Sequence, residues 1–291
     1  MKKLCGIVCL ALVVGYGAYL GGVYLGQDAK VFPTRPVDTA RLAAMRRYAP
    51  ALELLTLRAP DGARLVGYFL PRPGAAGRPA PAVLSFCGNA EEQTSFFLWA
   101  IGGLPQYTLA GLDYRGYGAS TGRPTETALK ADALAAFDAL AVRLGPGVPI
   151  AVMGRSLGCG LAAHVAAARR TAGVVLVTPY DSLAAVGQDS HPFVPVAWLL
   201  KYPFDVAPDA ARVTAPTLLL VAGADTVIRP RRAARLARLW AGPKETHTIA
   251  GVSHSGILDS AEYWPDIRAF LDRCFGADTA GPAPQPDGKP S

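Results

Sequence analysis

The 291-residue sequence predicts an α/β fold: a mostly parallel sheet of about eight strands with helices on both faces, preceded by one apolar N-terminal helix. Three observations predict it. From Ala82 to Phe275 short apolar runs alternate with longer helical stretches, and strands joined through helices lie parallel. Val148 to Met153 reads as a strand buried on both faces, and Gly154-Arg155-Ser156-Leu157-Gly158 follows it directly, ahead of a small-residue helix. Leu4 to Gly26 contains no charged residue.

Composition sets the frame. Hydrophobic residues make up 51% of the chain, which fits a globular protein and excludes a disordered one. Without its apolar start and polar end about 245 residues remain, enough for one large domain with its own core. The net charge is +7, but the Arg and Lys residues are scattered, with no long basic run and no aromatic-interleaved stripe. Nucleic acid is therefore not expected as a partner; weak attraction to anionic lipid headgroups is the functional option. The five cysteines have neither metal-ligand spacing nor a disulfide framework, so no metal or cofactor is expected.

Taken in order, Leu4–Gly26 would rise roughly 34 Å as a helix, enough to cross a bilayer core of about 30 Å. Tyr16, Tyr19 and Tyr24 lie in its outer half, where aromatic rings sit at an interface. Lys2 and Lys3 before it place the following chain outside the cytoplasm, periplasmic if bacterial. The alternative is a signal peptide cleaved near Gly15-Tyr16-Gly17, which would release a secreted protein. Residues 27–50 form a proline-bearing connector with a short helix over Thr39–Tyr48.

The domain itself spans 51–275. Leu52–Leu57 and Arg64–Leu70 alternate around Ala59-Pro60-Asp61-Gly62 and predict an antiparallel hairpin. Further strands are expected at Ala82–Phe86, Tyr107–Leu112, Val148–Met153, Gly173–Val177, Thr217–Val221 and Thr246–Ile249. Helices are expected near Glu91–Ile101, Thr125–Leu144, Leu157–Arg169, Arg231–Trp240 and Ala261–Phe275. The aromatic and proline-bearing insert Ser182–Val213 breaks this rhythm where a lid would lie, and 276–291 reads as a disordered tail.

G-x-S-x-G between strand and helix puts Ser156 on a sharp corner with its hydroxyl exposed, and a Cβ at either glycine would collide with neighbouring backbone. A serine hydroxyl is a poor nucleophile at neutral pH without a base, and the base needs an orienting acid. Of the four histidines, His254 lies in a small-residue loop between the last strand and last helix, at the sheet edge shared with Ser156. His164 reads as structural. Asp225 directly follows the strand Thr217–Val221 and is the expected acid; Asp181, after the strand ending at Val177, is its rival. Asp205 and Asp209 are expected to be solvated. The oxyanion would be held by the backbone N–H groups of Leu157 and of Asn89, in the loop after Ala82–Phe86.

Together Cys87-Gly88-Asn89-Ala90-Glu91, Asp113 to Ser120, the Ser156 motif, Gly223-Ala224-Asp225 and Ser253-His254 resemble the α/β-hydrolase fold over roughly residues 30 to 275. Within it, the chain is similar to the membrane-anchored serine hydrolases that include protein depalmitoylases and bacterial esterases. The resemblance implies Ser156, Asp225 and His254 as a catalytic triad, Asn89 and Leu157 as the oxyanion hole, and no cofactor. It implies cleavage of esters or thioesters of small or acylated substrates at a membrane; it leaves oligomeric state open. The family usually has His where this chain has Cys87, which implies altered packing of that loop. Cys87 itself reads as a small buried thiol, and Arg115 as a brace or as a contact for a substrate carboxylate. A peptidase or amidase using the same triad, and a catalytically silent membrane-bound interaction module, are the other classes consistent with the chain.

Overall fold

Alternating side chains around the Pro60-Asp61-Gly62 corner close into a hairpin, with Ala59 N–H bonded to Ala63 O at 2.8 Å. Its strands, β1 (Glu53–Arg58) and β2 (Arg64–Leu70), start a single sheet in the structure, a computed structural model that describes residues 2–74 and 77–276. The sheet continues with β3 (Ala82–Phe86), β4 (Thr108–Leu112), β5 (Ile150–Arg155), β6 (Val174–Val177), β7 (Thr217–Ala222) and β8 (Lys244–Ile249). The spatial order is β1-β2-β4-β3-β5-β6-β7-β8. β2 pairs antiparallel with both β1 and β4, and the remaining pairings are parallel.

The parallel strands are apolar on both sides because helices cover both faces. On one face Leu84, Val152 and Leu219 pack with Leu129 and Phe137 of α5 (Glu126–Leu144), Leu161 of α6 (Gly158–Ala168) and Leu236 of α10 (Pro230–Leu239). On the other, Val83, Met153 and Leu218 pack with Met45 of α3 (Thr39–Tyr48), Phe97 of α4 (Gln93–Gly103) and Ile267 of α11 (Tyr263–Phe275). Successive residues of one strand thus enter opposite cores, as a period of two requires. β8 closes the sheet with Lys244, Glu245 and His247 still partly exposed, polar side chains that discourage pairing at an edge.

At the N-terminus α1 (Lys2–Leu25) has no buried residue and is long and apolar enough to cross a membrane. α2 (Gln27–Val31) follows it. The insert folds as three short helices, α7 (Leu183–Ser190), α8 (Val196–Leu199) and α9 (Ala207–Ala210). Asp209 departs from expectation. It is buried and faces His164 Nδ1 at 3.1 Å because α9 packs against α6, and it accepts from its near neighbour Arg212 at 2.6 Å. Asp205 is exposed. The expected disordered tail, apart from Gly276, lies outside the described residues.

Candidate active site

Ser156 occupies the turn between β5 and α6 with φ +50°, a left-handed conformation that a residue with a Cβ rarely adopts. Its N–H is held by Val177 O at 2.9 Å, so the neighbouring strand β6 fixes the corner. The flanking glycines are sterically required. A Cβ on Gly154 would lie 2.3 Å from Gly158 O, and one on Gly158 would lie 2.1 Å from Phe86 O.

Two neighbouring loops bring the other polar groups to this corner. β7 and β8 are adjacent, and the loops after them are joined by Gly223 N–H to Ile249 O at 2.8 Å and Ala224 N–H to Val252 O at 2.9 Å. His254 then faces Asp225 Oδ2 through Nδ1 at 2.7 Å and Ser156 Oγ through Nε2 at 3.1 Å. Asp225 Oδ1 accepts from the N–H groups of Val227 and Ile228, both at 2.8 Å, which orients the carboxylate. That carboxylate is 1% exposed and the imidazole 14%, so the three groups meet in a largely water-excluded place. Asp181 is not part of this line; it faces Arg235 at 3.2 Å and Arg232 at 3.4 Å.

The loop Cys87–Glu91 lies across from Ser156, and Asn89 and Leu157 line one cavity with Ser156 and His254. Three contacts hold that loop. Tyr114 OH donates to Cys87 O at 2.7 Å, Tyr117 OH donates to Asn89 O, and Glu91 accepts from Gly88 N–H at 2.8 Å while pairing with Arg155. Arg155 also donates to His254 O at 3.4 Å. Sequence reasoning missed Arg155 and Glu91. The available signal was that Arg155 is the one charge in an apolar strand-turn-helix run, and a charge so placed needs a partner.

Burial raises the Cys87 thiol well above its usual range, so it is a small packed group and not a thiolate. Arg115 is buried in a two-pronged bond with Asp132, at 2.7 and 2.9 Å, and it also binds Asp61. It therefore fixes the Tyr114–Gly118 segment and does not reach the cavity beside Ser156. Among the described residues no three His, Cys, Asp or Glu side chains converge to hold a metal ion.

The cavity over Ser156 measures about 390 Å³ and its walls are mostly apolar. Leu183, Val186, Val194 and Leu199 come from the insert, and Tyr19 and Val23 come from α1. A larger cavity, about 650 Å³, lies on the other side of the Cys87–Glu91 loop. It reaches Arg155 and Cys87 but neither Ser156 nor His254.

A strand-turn-helix serine at the carboxyl edge of an eight-stranded, mostly parallel sheet defines a class, and the chain belongs to the alpha/beta hydrolase fold family, whose model matches residues 85–212. An uncharacterized protein of Mycobacterium tuberculosis is 36% identical over 228 residues, covering 76% of this chain and 80% of that one. The human alpha/beta hydrolase domain-containing protein 17B is 29% identical over 193 residues; the match covers 64% of each chain. Among solved structures, an esterase of Pyrococcus furiosus is similar with a TM-score of 0.63 at 16% identity, covering 79% of this chain and 93% of that one. At that identity the likeness concerns the fold.

Proposed function

We propose that this protein is a membrane-tethered serine hydrolase that cleaves ester or thioester bonds of acylated or lipid-like substrates. The observation that carries the reading is the continuous path from Asp225 Oδ2 through His254 to Ser156 Oγ, with steps of 2.7 and 3.1 Å. His254 Nε2 takes the hydroxyl proton as Ser156 Oγ attacks the substrate carbonyl carbon. Asp225 holds the imidazole with Nδ1–H inward and stabilises the imidazolium that forms. The tetrahedral oxyanion is held by the N–H groups of Leu157 and Asn89, helped by the N-terminal end of α6. Collapse returns the proton to the leaving alkoxide or thiolate and leaves an acyl-Ser156 ester. Water, deprotonated by His254, then attacks that ester, and the carboxylic acid leaves as Ser156 regains its proton.

The apolar walls of the 390 Å³ cavity favour an acyl chain over a charged group. The name of the human relative supplies a hydrolase domain, and the solved neighbour supplies an esterase on the same fold. Tethering rests on α1, and its side on flanking charge. Lys2 and Lys3 favour an outer domain, while Lys30, Arg35 and Arg41 after the helix weigh toward the cytoplasm. Protease access in intact and broken cells decides between them.

The testing experiment is labelling by a fluorophosphonate probe in the membrane fraction. Wild type should label, and Ser156→Ala and His254→Ala should not. A folded wild type that stays unlabelled would overturn the reading. Hydrolysis of p-nitrophenyl esters from acetate to palmitate then reports acyl length.

A further inference from the structure

The insert and α1 share one surface, and the chemistry of that surface points to lipid. His191 to Leu200 contains no Asp, Glu, Lys or Arg, and Phe193 and Trp198 project from it 88% and 91% exposed. The tip is fastened to the apolar helix at two heights. Near the end of α1, Gln27 donates to Leu199 O and accepts from Lys201 N–H, each at 2.8 Å, and the Lys201 ammonium sits 4.7 Å over the Tyr24 ring. Deeper along α1, Tyr16 OH donates to Phe193 O at 2.5 Å.

These two heights fix a depth. Tyr16 lies nine residues before Leu25, roughly 14 Å along the helix axis. All 24 residues of α1 rise only about 36 Å, and a bilayer core takes about 30 Å of that. If α1 crosses the bilayer, no more than about 6 Å of it remains outside the core. Tyr16 is then below the surface, and so is the tip bonded to it. Lys201, Gln27 and Tyr24 fall at the boundary, where an ammonium and a phenol are stable.

The backbone of the tip is already prepared for such a place. In lipid each peptide group needs a partner within the protein. Gln188 donates to His191 O and Pro192 O at 3.1 and 3.3 Å and accepts from Val196 N–H at 3.3 Å. Tyr16 and Gln27 cap Phe193 O and Leu199 O, and Pro192 and Pro195 have no N–H to satisfy.

We infer that the Phe193–Trp198 tip is immersed in the same leaflet as the last turns of α1, so that the cavity over Ser156 opens toward the acyl layer. Tyr19 and Val23 of α1 and Val194 and Leu199 of the tip line that cavity together with Ser156 and His254. A long acyl chain would pass from the bilayer along these residues without crossing water. The immersion stands on α1 and the tip alone; the passage of an acyl chain rests on the hydrolase reading above.

The full-length protein in phosphatidylcholine/phosphatidylglycerol vesicles tests this. The difference in tryptophan emission between wild type and Trp198→Phe isolates Trp198 from the other three tryptophans. Brominated acyl chains should quench that difference signal severalfold more than aqueous iodide does. The opposite order would overturn the immersion, whatever Ser156 does. The Phe193→Asp/Trp198→Asp variant should keep fluorophosphonate labelling and p-nitrophenyl acetate turnover, while hydrolysis of a vesicle-embedded long-chain ester falls on the order of tenfold. Equal losses on both substrates, or none on either, would overturn the lipid route. An unlabelled wild type would sink the hydrolase reading, and the quenching result would still decide the immersion.

Discussion

Arg155 forms an ion pair with Glu91, and through it the loop carrying Asn89 is tied to the strand that presents Ser156. Both side chains are largely buried, 13% and 26% exposed, so the pair is well shielded from water. Removing one partner strands the other charge and frees the loop. Glu91→Gln and Arg155→Met should each lower kcat by roughly tenfold or more with a smaller change in KM, because the proposed oxyanion donor, Asn89 N–H, would act in the transition state. In a double-mutant cycle the second substitution should add little to the first. Additive losses would mean that the pair does not act as a unit.

Asp225 and Asp181 both follow strands of the sheet, but only Asp225 faces the imidazole. Asp225→Asn should lower kcat on the order of 10⁴-fold by favouring the wrong imidazole tautomer. Asp181→Asn should leave kcat near wild type and weaken the hold on Arg232 and Arg235. Steady-state kinetics of the two variants, with thermal melts, separates these outcomes.

The Tyr117 hydroxyl reaches the site through Asn89 O, and its ring packs edge-on against Tyr114. Tyr117→Phe removes that donor and keeps the ring packing, so it should cost about 1 kcal/mol of stability. The turnover of an ester should fall while serine labelling persists at a reduced rate.

Gly158→Ala would press a Cβ against Phe86 O and should destabilise the fold by several kcal/mol, or prevent folding. Gly102, inside α4, has open space at its Cβ position. Gly102→Ala should be neutral or stabilising by up to about 1 kcal/mol. Urea denaturation of both variants checks the contrast.

Burial raises the Asp113 carboxyl from 3.8 to about 7; the Gln93 N–H opposes this and Glu92 adds to it. The folded state therefore holds a proton that the unfolded state has already released. The stability this contributes is complete below pH 3.8 and is lost as pH rises through about 7. Asp113→Asn keeps an acceptor for Gln93 without that titration. Its unfolding free energy should gain on wild type as pH rises across the window, with a slope of up to about 1.4 kcal/mol per pH unit. A constant difference between the two proteins from pH 4 to about 7 would refute the assignment.

Much of the architecture was legible in the chain. β2 and β3 occupy the expected ranges, since each is a short apolar or alternating run bounded by Gly, Pro or Asp. The corner at Ser156 was equally plain, because a strand that turns at once into a helix leaves few residues able to fit, and glycine at both flanks marks the close approach. Asp209 was misplaced for the opposite reason. Arg212 is a local partner three residues on, but His164 is brought to it by the packing of α9 on α6, and no local pattern encodes that contact.

The sequence by itself determined the class of fold, the strained serine corner and an apolar helix ahead of the domain, all of which depend on residues close together in the chain. Only the tertiary structure decided which aspartate faces His254, that Arg155 and Glu91 brace the Asn89 loop, and that α1 walls the cavity over Ser156. These depend on strand order and on the docking of the insert against a helix more than 170 residues away in sequence. Contacts between distant segments are set by how sheet and helices pack, and short-range residue patterns carry no record of that packing.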